Sequence, residues 1–292
     1  MSESTRYRGQ VQHRLGVVGR YTLLVAMAVL SLAPLVWMLL SAFKPGAEII
    51  TDPFRFRVTT MTLDNFRTML ETVPLELGFR NTAIVVLAKG MLTMVFCPLA
   101  GFAFAKYEFP GKRLLFGTVL ITLMLPTLVL LVPLLLEMSE LGWVNSFPAL
   151  ILPGAVDAFG VFWMRQIVAA IPNELLDAGR VDGCGDLRLF YNVVLPVIRP
   201  GLAALAVLTF INIYNDFVWP VVVATDPEYQ TLQVMLSTLS QRITTNQLGA
   251  DWASVWGQLL AASTVAAIPV FVIFVLLQRH LIKGVMAGSL KG

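Results

Sequence analysis

With 292 residues, of which 57% are hydrophobic and 13% charged, and a mean hydropathy of +0.76, the chain is too apolar to hide its side chains inside one water-soluble globule. Its net charge of +3 is not a nucleic-acid footprint, because the basic residues are distributed among segments rather than gathered in one run. Two cysteines, Cys97 and Cys184, and two histidines, His13 and His280, lie too far apart for a disulfide framework, a metal cluster or His-based catalysis.

Six apolar runs of about 20 residues, each able to cross about 30 Å of hydrocarbon at 1.5 Å per residue, predict an all-α integral membrane protein with six transmembrane helices in a single domain. No alternating barrel pattern occurs. The first run, Tyr21–Phe43, has Pro34 directly after Leu32-Ala33 and no convincing cleavage site, so it reads as a span rather than a secretory leader. A long loop, Lys44–Phe79, leads to the second, Asn81–Phe102, which carries Lys89 and Cys97. The short turn Phe104–Arg113 precedes the third, Leu114–Leu136, with Pro126 and Pro133 inside it. A turn around Gly142 leads to the fourth, Phe147–Met164, which contains Pro153 and Asp157. The loop Arg165–Pro200 separates it from the fifth, Leu202–Ala224, with Asn215, Asp216, Trp219 and Pro220. A second long loop, Thr225–Ala253, precedes the sixth, Ser254–Leu277, with Pro269, and a tail follows at 279–292. Prolines at these depths are tolerated where packed neighbours satisfy the freed carbonyls.

This threading places fourteen of the 21 Lys and Arg residues on one side, six on the other, and Lys89 within a span. The positive-inside rule therefore predicts a multi-pass protein with both termini in the cytoplasm.

On that reading 171–200 is a cytoplasmic loop. Asn173 is suited to an N-cap, and Glu174 and Asp177 suit the positive end of a helix dipole, which predicts a short helix. Gly183 and Gly185 are placed to end it. Beyond them Leu187, Phe190, Tyr191, Val194 and Leu195 recur at helical spacing, predicting a second amphipathic helix that stops near Pro196. Any long inner loop can fold into surface helices, and a pair such as Asp177 with Arg180 adds only about 0.2–0.5 kcal/mol. The helix pattern alone therefore names no function.

The residue string says more. Asp177-Ala178-Gly179, two further residues, Asp182-Gly183-Cys184, then Leu195-Pro196 and Pro200 resemble the EAA loop of ABC importer permeases, whose pattern is Glu-Ala-Ala, two residues, Asp-Gly-Ala, a Leu-Pro and a further Pro. Asp177 keeps the charge of the usual Glu, while Gly179 and Cys184 keep the other two positions small. Ser41-Ala42-Phe43-Lys44-Pro45, Asn215-Asp216-Phe217-Val218-Trp219-Pro220 and the tail Ala287-Gly288-Ser289-Leu290-Lys291-Gly292 resemble the carbohydrate, maltose-type inner-membrane permease subunit. The resemblance implies a bacterial plasma-membrane protein working with a second permease of similar fold, two copies of a cytoplasmic ATPase and an extracytoplasmic solute-binding protein. It also implies that Glu174, Asp177, Ala178, Gly179, Asp182 and Gly183 couple this chain to the ATPases.

No Gly-x-x-x-x-Gly-Lys-Ser/Thr phosphate loop occurs; Gly111-Lys112-Arg113 lacks both the upstream glycine and the hydroxyl. ATP and Mg are thus expected on the partner ATPases, with no cofactor on this chain. Ionisable residues within spans are costly and mark candidate function, here Lys89, Asp157 and Asp216. Asn215, Asp216 and Trp219 bring amide, carboxylate and aromatic groups suited to sugar hydroxyls and ring faces; as a structural alternative, Asn215 and Asp216 bridge helices. Lys89 either pairs with Asp157 or extends towards a wet cavity. The rival functions are an ion-driven secondary transporter, with Lys89, Asp157 and Asp216 relaying protons, a membrane anchor without transport, and a permease for a non-sugar solute such as glycerol phosphate.

Overall fold

In hydrocarbon a peptide group has no water to bond, so each apolar run satisfies its backbone internally as a helix. The structure, a computed structural model, describes residues 3–53, 55–245 and 252–289, with side chains described at 16–53, 55–243 and 252–278. Among these residues it contains helices and no strand. In chain order they are α1 (Glu3–Ser41), α2 (Gly46–Thr51), α3 (Asp64–Thr72), α4 (Leu75–Lys106), α5 (Lys112–Met124), α6 (Thr127–Glu140), α7 (Phe147–Ile151), α8 (Ala158–Ala169), α9 (Asn173–Val181), α10 (Asp186–Leu189), a π turn (Phe190–Val194), α11 (Leu195–Tyr214), α12 (Val218–Val223), α13 (Leu232–Thr245) and α14 (Trp252–Ser289). Residues 290–292 of the expected tail, and side chains from Arg279 onward, lie outside the described residues.

The six expected spans take three forms. Four are long apolar helices: Gly16–Ser41, Leu75–Lys106, Asp186–Tyr214 and Trp252–Gln278. The third, Leu114–Leu136, is a pair, α5 and α6, bent by 109°. Pro126 causes the break: Leu125 before it is extended, at φ −79° and ψ 126°, the conformation a following proline ring imposes. The fourth, expected as one helix at Phe147–Met164, is interrupted between α7 and α8, and α8 extends to Ala169. Pro153 withholds an N–H there, Gly154 turns at φ +70°, and the Asp157 carboxylate restarts the helix by accepting from the Gly160 amide. The fifth begins upstream of Leu202 and ends at Tyr214; a break separates it from α12.

By internal packing the chain forms two compact units, one comprising residues 1–73 and 239–265 and the other 74–238 and 266–292. In the first, the buried Asn65 amide donates to the Ala42 and Lys44 carbonyls at 2.9 and 2.7 Å, satisfying carbonyls that the end of α1 leaves free. Gly257 of α14 allows this, since a Cβ there would stand 2.1 Å from Asn65 Oδ1.

The second unit is built around α8, which packs on α4 and α11. Small residues allow the backbones to approach. A Cβ at Gly101 of α4 would lie 2.7 Å from the Arg165 backbone nitrogen, and one at Gly201 of α11 would lie 2.2 Å from Ile167 Cδ1. Cys97, Phe102, Met164, Val168, Phe190 and Ile198 belong to the buried cluster between them. At the other end of α4, Asn81 donates to the Glu228 and Gln230 carbonyls at 2.7 and 3.0 Å, and Thr82 accepts from the Leu232 amide at 2.9 Å.

Candidate functional site

The expected helix-turn-helix is present with a sharply defined turn. α9 ends at Val181, and Gly183 adopts φ +80°, a conformation with no Cβ penalty for glycine. The Gly183 amide donates to the Arg180 carbonyl and the Cys184 amide to the Gly179 carbonyl, both at 3.0 Å. These two bonds are a Schellman motif, which occupies the last carbonyls of α9. Glu174, Asp177, Ala178, Asp182 and Gly183 are exposed, whereas Gly179 is buried. A Cβ on Gly179 would meet Leu189 Cδ1 at 2.6 Å, so this small residue sets how closely α9 packs on the helix after it. Asp177 accepts from Arg180 at 2.8 Å, both side chains being about half exposed.

Two expectations change here. Asn173 does not cap α9: it is the first helical residue, and its side-chain oxygen accepts from Lys106 Nζ at 2.9 Å. The second helix does not stop at Pro196 but continues through the π turn and α11 to Tyr214. The Leu195 amide bonds to the Phe190 carbonyl across the π turn, which inserts one residue and rotates the face that follows. Leu189, Phe190 and Val194 are buried, while Leu187 and Tyr191, expected on the same stripe as Phe190 and Val194, are 68% and 54% exposed.

The intramembrane ionisable residues converge. Lys89 of α4, Asp157 at the start of α8 and Asp216 just beyond α11 line one cavity of about 160 Å³, together with Thr93, Thr209 and Asn212. Lys89 lines the cavity with both carboxylates but makes no ion pair within 4 Å with either. The Thr209 hydroxyl is buried with no hydrogen-bond partner, and Thr93 donates to the Ala155 carbonyl at 2.7 Å. Asn215 and Trp219 stand apart from the cavity wall. Asn215 folds back onto the Ile211 carbonyl at 2.9 Å, and the buried Trp219 indole donates to the Ala149 carbonyl at 2.8 Å, tying α12 to α7.

The structure thus joins an exposed helix-turn-helix at 173–194 to long apolar helices that share a polar cavity. Residues 98–286 match the family described as the binding-protein-dependent transport system inner membrane component. The chain belongs to this family. It is 34% identical over 91% of its length to the arabinooligosaccharides transport system permease protein AraQ of Halalkalibacterium halodurans, covering 93% of that protein. It is 30% identical to the diacetylchitobiose uptake system permease protein NgcG of Streptomyces coelicolor, covering 93% of this chain and 88% of the other. The sn-glycerol-3-phosphate transport system permease protein UgpE of Salmonella typhi is 29% identical, with 94% and 98% covered. The fold matches a chain from the crystal structure of a bacterial ABC transporter involved in the import of the acidic polysaccharide alginate, with a TM-score of 0.77, 21% identity, and 96% and 98% of the chains covered.

For this ABC importer permease, the sequence did not single out Thr93, Thr209 and Asn212, because hydroxyl and amide residues inside an apolar run carry no charge signal. Spacing connects them in retrospect. Thr209, Asn212 and Ile213 lie at i, i+3 and i+4 on one face of α11, and Asp216, just beyond the end of that helix, reaches the same cavity, whereas Asn215 does not line it. The permease also exposes Leu175 at 42% and Val181 at 87% on α9, apolar groups beside the expected coupling charges.

Proposed function

We propose that this chain is one of the two permease subunits of an ATP-driven importer for an uncharged sugar. It stands in the plasma membrane with both termini in the cytoplasm, beside a second permease of similar fold. Two copies of a cytoplasmic ATPase dock on it and its partner permease, bind ATP and Mg, and carry out the hydrolysis, and an extracytoplasmic binding protein delivers the solute. On this reading, Glu174, Asp177, Ala178, Gly179, Asp182 and Gly183 form the ATPase-facing surface, together with the exposed Leu175 and Val181.

One observation carries the mechanism: a single helical path, Asp186–Tyr214, leads from beside the glycine turn to the cavity wall at Thr209 and Asn212. From Asp186 to Asn212 it spans about 39 Å at 1.5 Å per residue. Displacement of the turn by closing ATPases is transmitted along this path as rigid-body movement and changes access to the cavity. Arabinooligosaccharide, diacetylchitobiose and lactose permeases among the relatives support a sugar. So does the cavity, where Asp157 and Asp216 outnumber Lys89: hydroxyls can donate to carboxylates, whereas the phosphate of a glycerol phosphate meets like charge.

Gly183→Asp tests the coupling. A Cβ at Gly183 meets nothing within 4 Å in this chain, but at φ +80° any side chain strains the turn, so the substitution adds bulk, charge and local backbone strain at the proposed ATPase contact. The variant is expected to reach the membrane at normal abundance but to lose transport and substrate-stimulated ATP hydrolysis. Normal transport by Gly183→Asp contradicts the reading.

A further inference from the structure

α4 reaches the cavity through Lys89 and Thr93 and ends at Lys106 beside α9. Unlike α11, it has no nearby chain connection to the helix-turn-helix; the contact between them is made by side chains. Lys106 Nζ donates to the Ile171 carbonyl at 2.5 Å and to Asn173 Oδ1 at 2.9 Å, holding the start of α9. The next residue, Tyr107, donates its hydroxyl to Asp186 Oδ1 at 2.6 Å, holding the start of α10. Two adjacent residues thus grip the helix-turn-helix on both sides of its glycine turn.

The grip is itself supported. The Tyr107 ring packs edge-on against Phe102 with centroids 5.1 Å apart, and Phe102 in turn meets Phe190 at 5.6 Å. Lys112 donates to the Tyr107 carbonyl at 2.8 Å. Burial, then the Asp186 carboxylate, push the Tyr107 phenol above its ordinary range, with Arg180 opposing, so the hydroxyl stays protonated and donating at neutral pH.

We propose that Lys106 and Tyr107 form a positioning latch that makes α4 move with the ATPase-facing helix, so that both walls of the cavity, α4 and α11, respond to one stroke. This rests on the reading of α9 as the ATPase-facing helix. With the latch open, the turn still drives α11 through the continuous helix, while α4 lags. ATP is then hydrolysed without a full change of access. The buried contacts of Leu176 and Leu189 in the surrounding cluster continue to hold α9 in place, so loss of the latch uncouples the protein rather than unfolding the loop.

The test uses the complete importer, with its partner permease, ATPases and binding protein, in proteoliposomes. Lys106→Met combined with Tyr107→Phe is compared with Lys106→Arg, which keeps the charge and donors, and with Gly183→Asp. Expected for the double variant is normal co-purification of the ATPases, ATP hydrolysis that no longer responds to loaded binding protein, and sugar moved per ATP reduced about tenfold, the factor one charge-assisted hydrogen bond represents. Lys106→Arg on the wild-type background is expected to retain most of the coupling. Unchanged sugar per ATP in the double variant overturns the latch, as does a loss explained by failure to retain the ATPases. If only the latch is wrong, Gly183→Asp still abolishes transport. If Gly183→Asp transports normally, the docking reading and the latch fall together.

Discussion

Asp157 shows how a charged residue inside a membrane protein serves two purposes. Its side chain caps α8 by accepting from the Gly160 amide, and it presents a carboxylate to the cavity opposite Lys89. The cap predicts a particular asymmetry. Asp157→Asn keeps an acceptor for the Gly160 amide and is expected to hold thermal stability in detergent near wild type, whereas Asp157→Ala is expected to lose about 1 kcal/mol. A direct ion pair with Lys89 predicts instead that both substitutions cost alike, because either removes the charge. Equal losses on thermal unfolding would restore the pair that the structure does not contain.

Among the elements, glycine placement separates contact faces from open ones. α4 contains both kinds: a Cβ at Gly101 would meet the Met164 and Arg165 backbone within 2.8 Å, while one at Gly90 meets nothing within 4 Å. Gly101→Ala is therefore expected to destabilise by about 1–3 kcal/mol through overpacking, with lower membrane abundance. Gly90→Ala, at a position where helix propensity alone acts, is expected to be neutral or to stabilise by up to about 1 kcal/mol. Matching melting temperatures for the two variants would remove α4–α8 packing from the account. The same scale separates what was legible in sequence from what was not. Long apolar runs identify helices, and the Gly183 turn is announced by its residue types, because both signals are local. The break between α7 and α8 was hidden, since Pro153 alone is compatible with a tolerated kink, and only with Gly154 at positive φ and Asp157 as a cap does it end one helix and start another. The π turn was hidden for a related reason: Pro196 reads as a stop unless an inserted residue upstream alters the helix before it. The cavity was half legible. Its charges are conspicuous in an apolar run, but its neutral wall is recognised only once α4, α8 and α11 are packed.

Across the whole molecule, the long apolar helices and exposed apolar side chains place the work in a bilayer, and family membership places it in a binding-protein-dependent importer. The most apolar window of Gly16–Ser41 has none of its residues buried, as expected for a helix whose surroundings are lipid or another subunit. The central claim is that ATP hydrolysis on partner subunits, and not an ion gradient, drives a neutral sugar through this permease. It is tested most directly by uptake of a labelled neutral oligosaccharide, selected as a ligand of the cognate binding protein, into proteoliposomes holding the complete importer. The account predicts uptake that requires ATP on the cytoplasmic side and loaded binding protein on the other, and that is unaffected by a protonophore. Uptake that continues without ATP and collapses when the proton gradient is dissipated would contradict it.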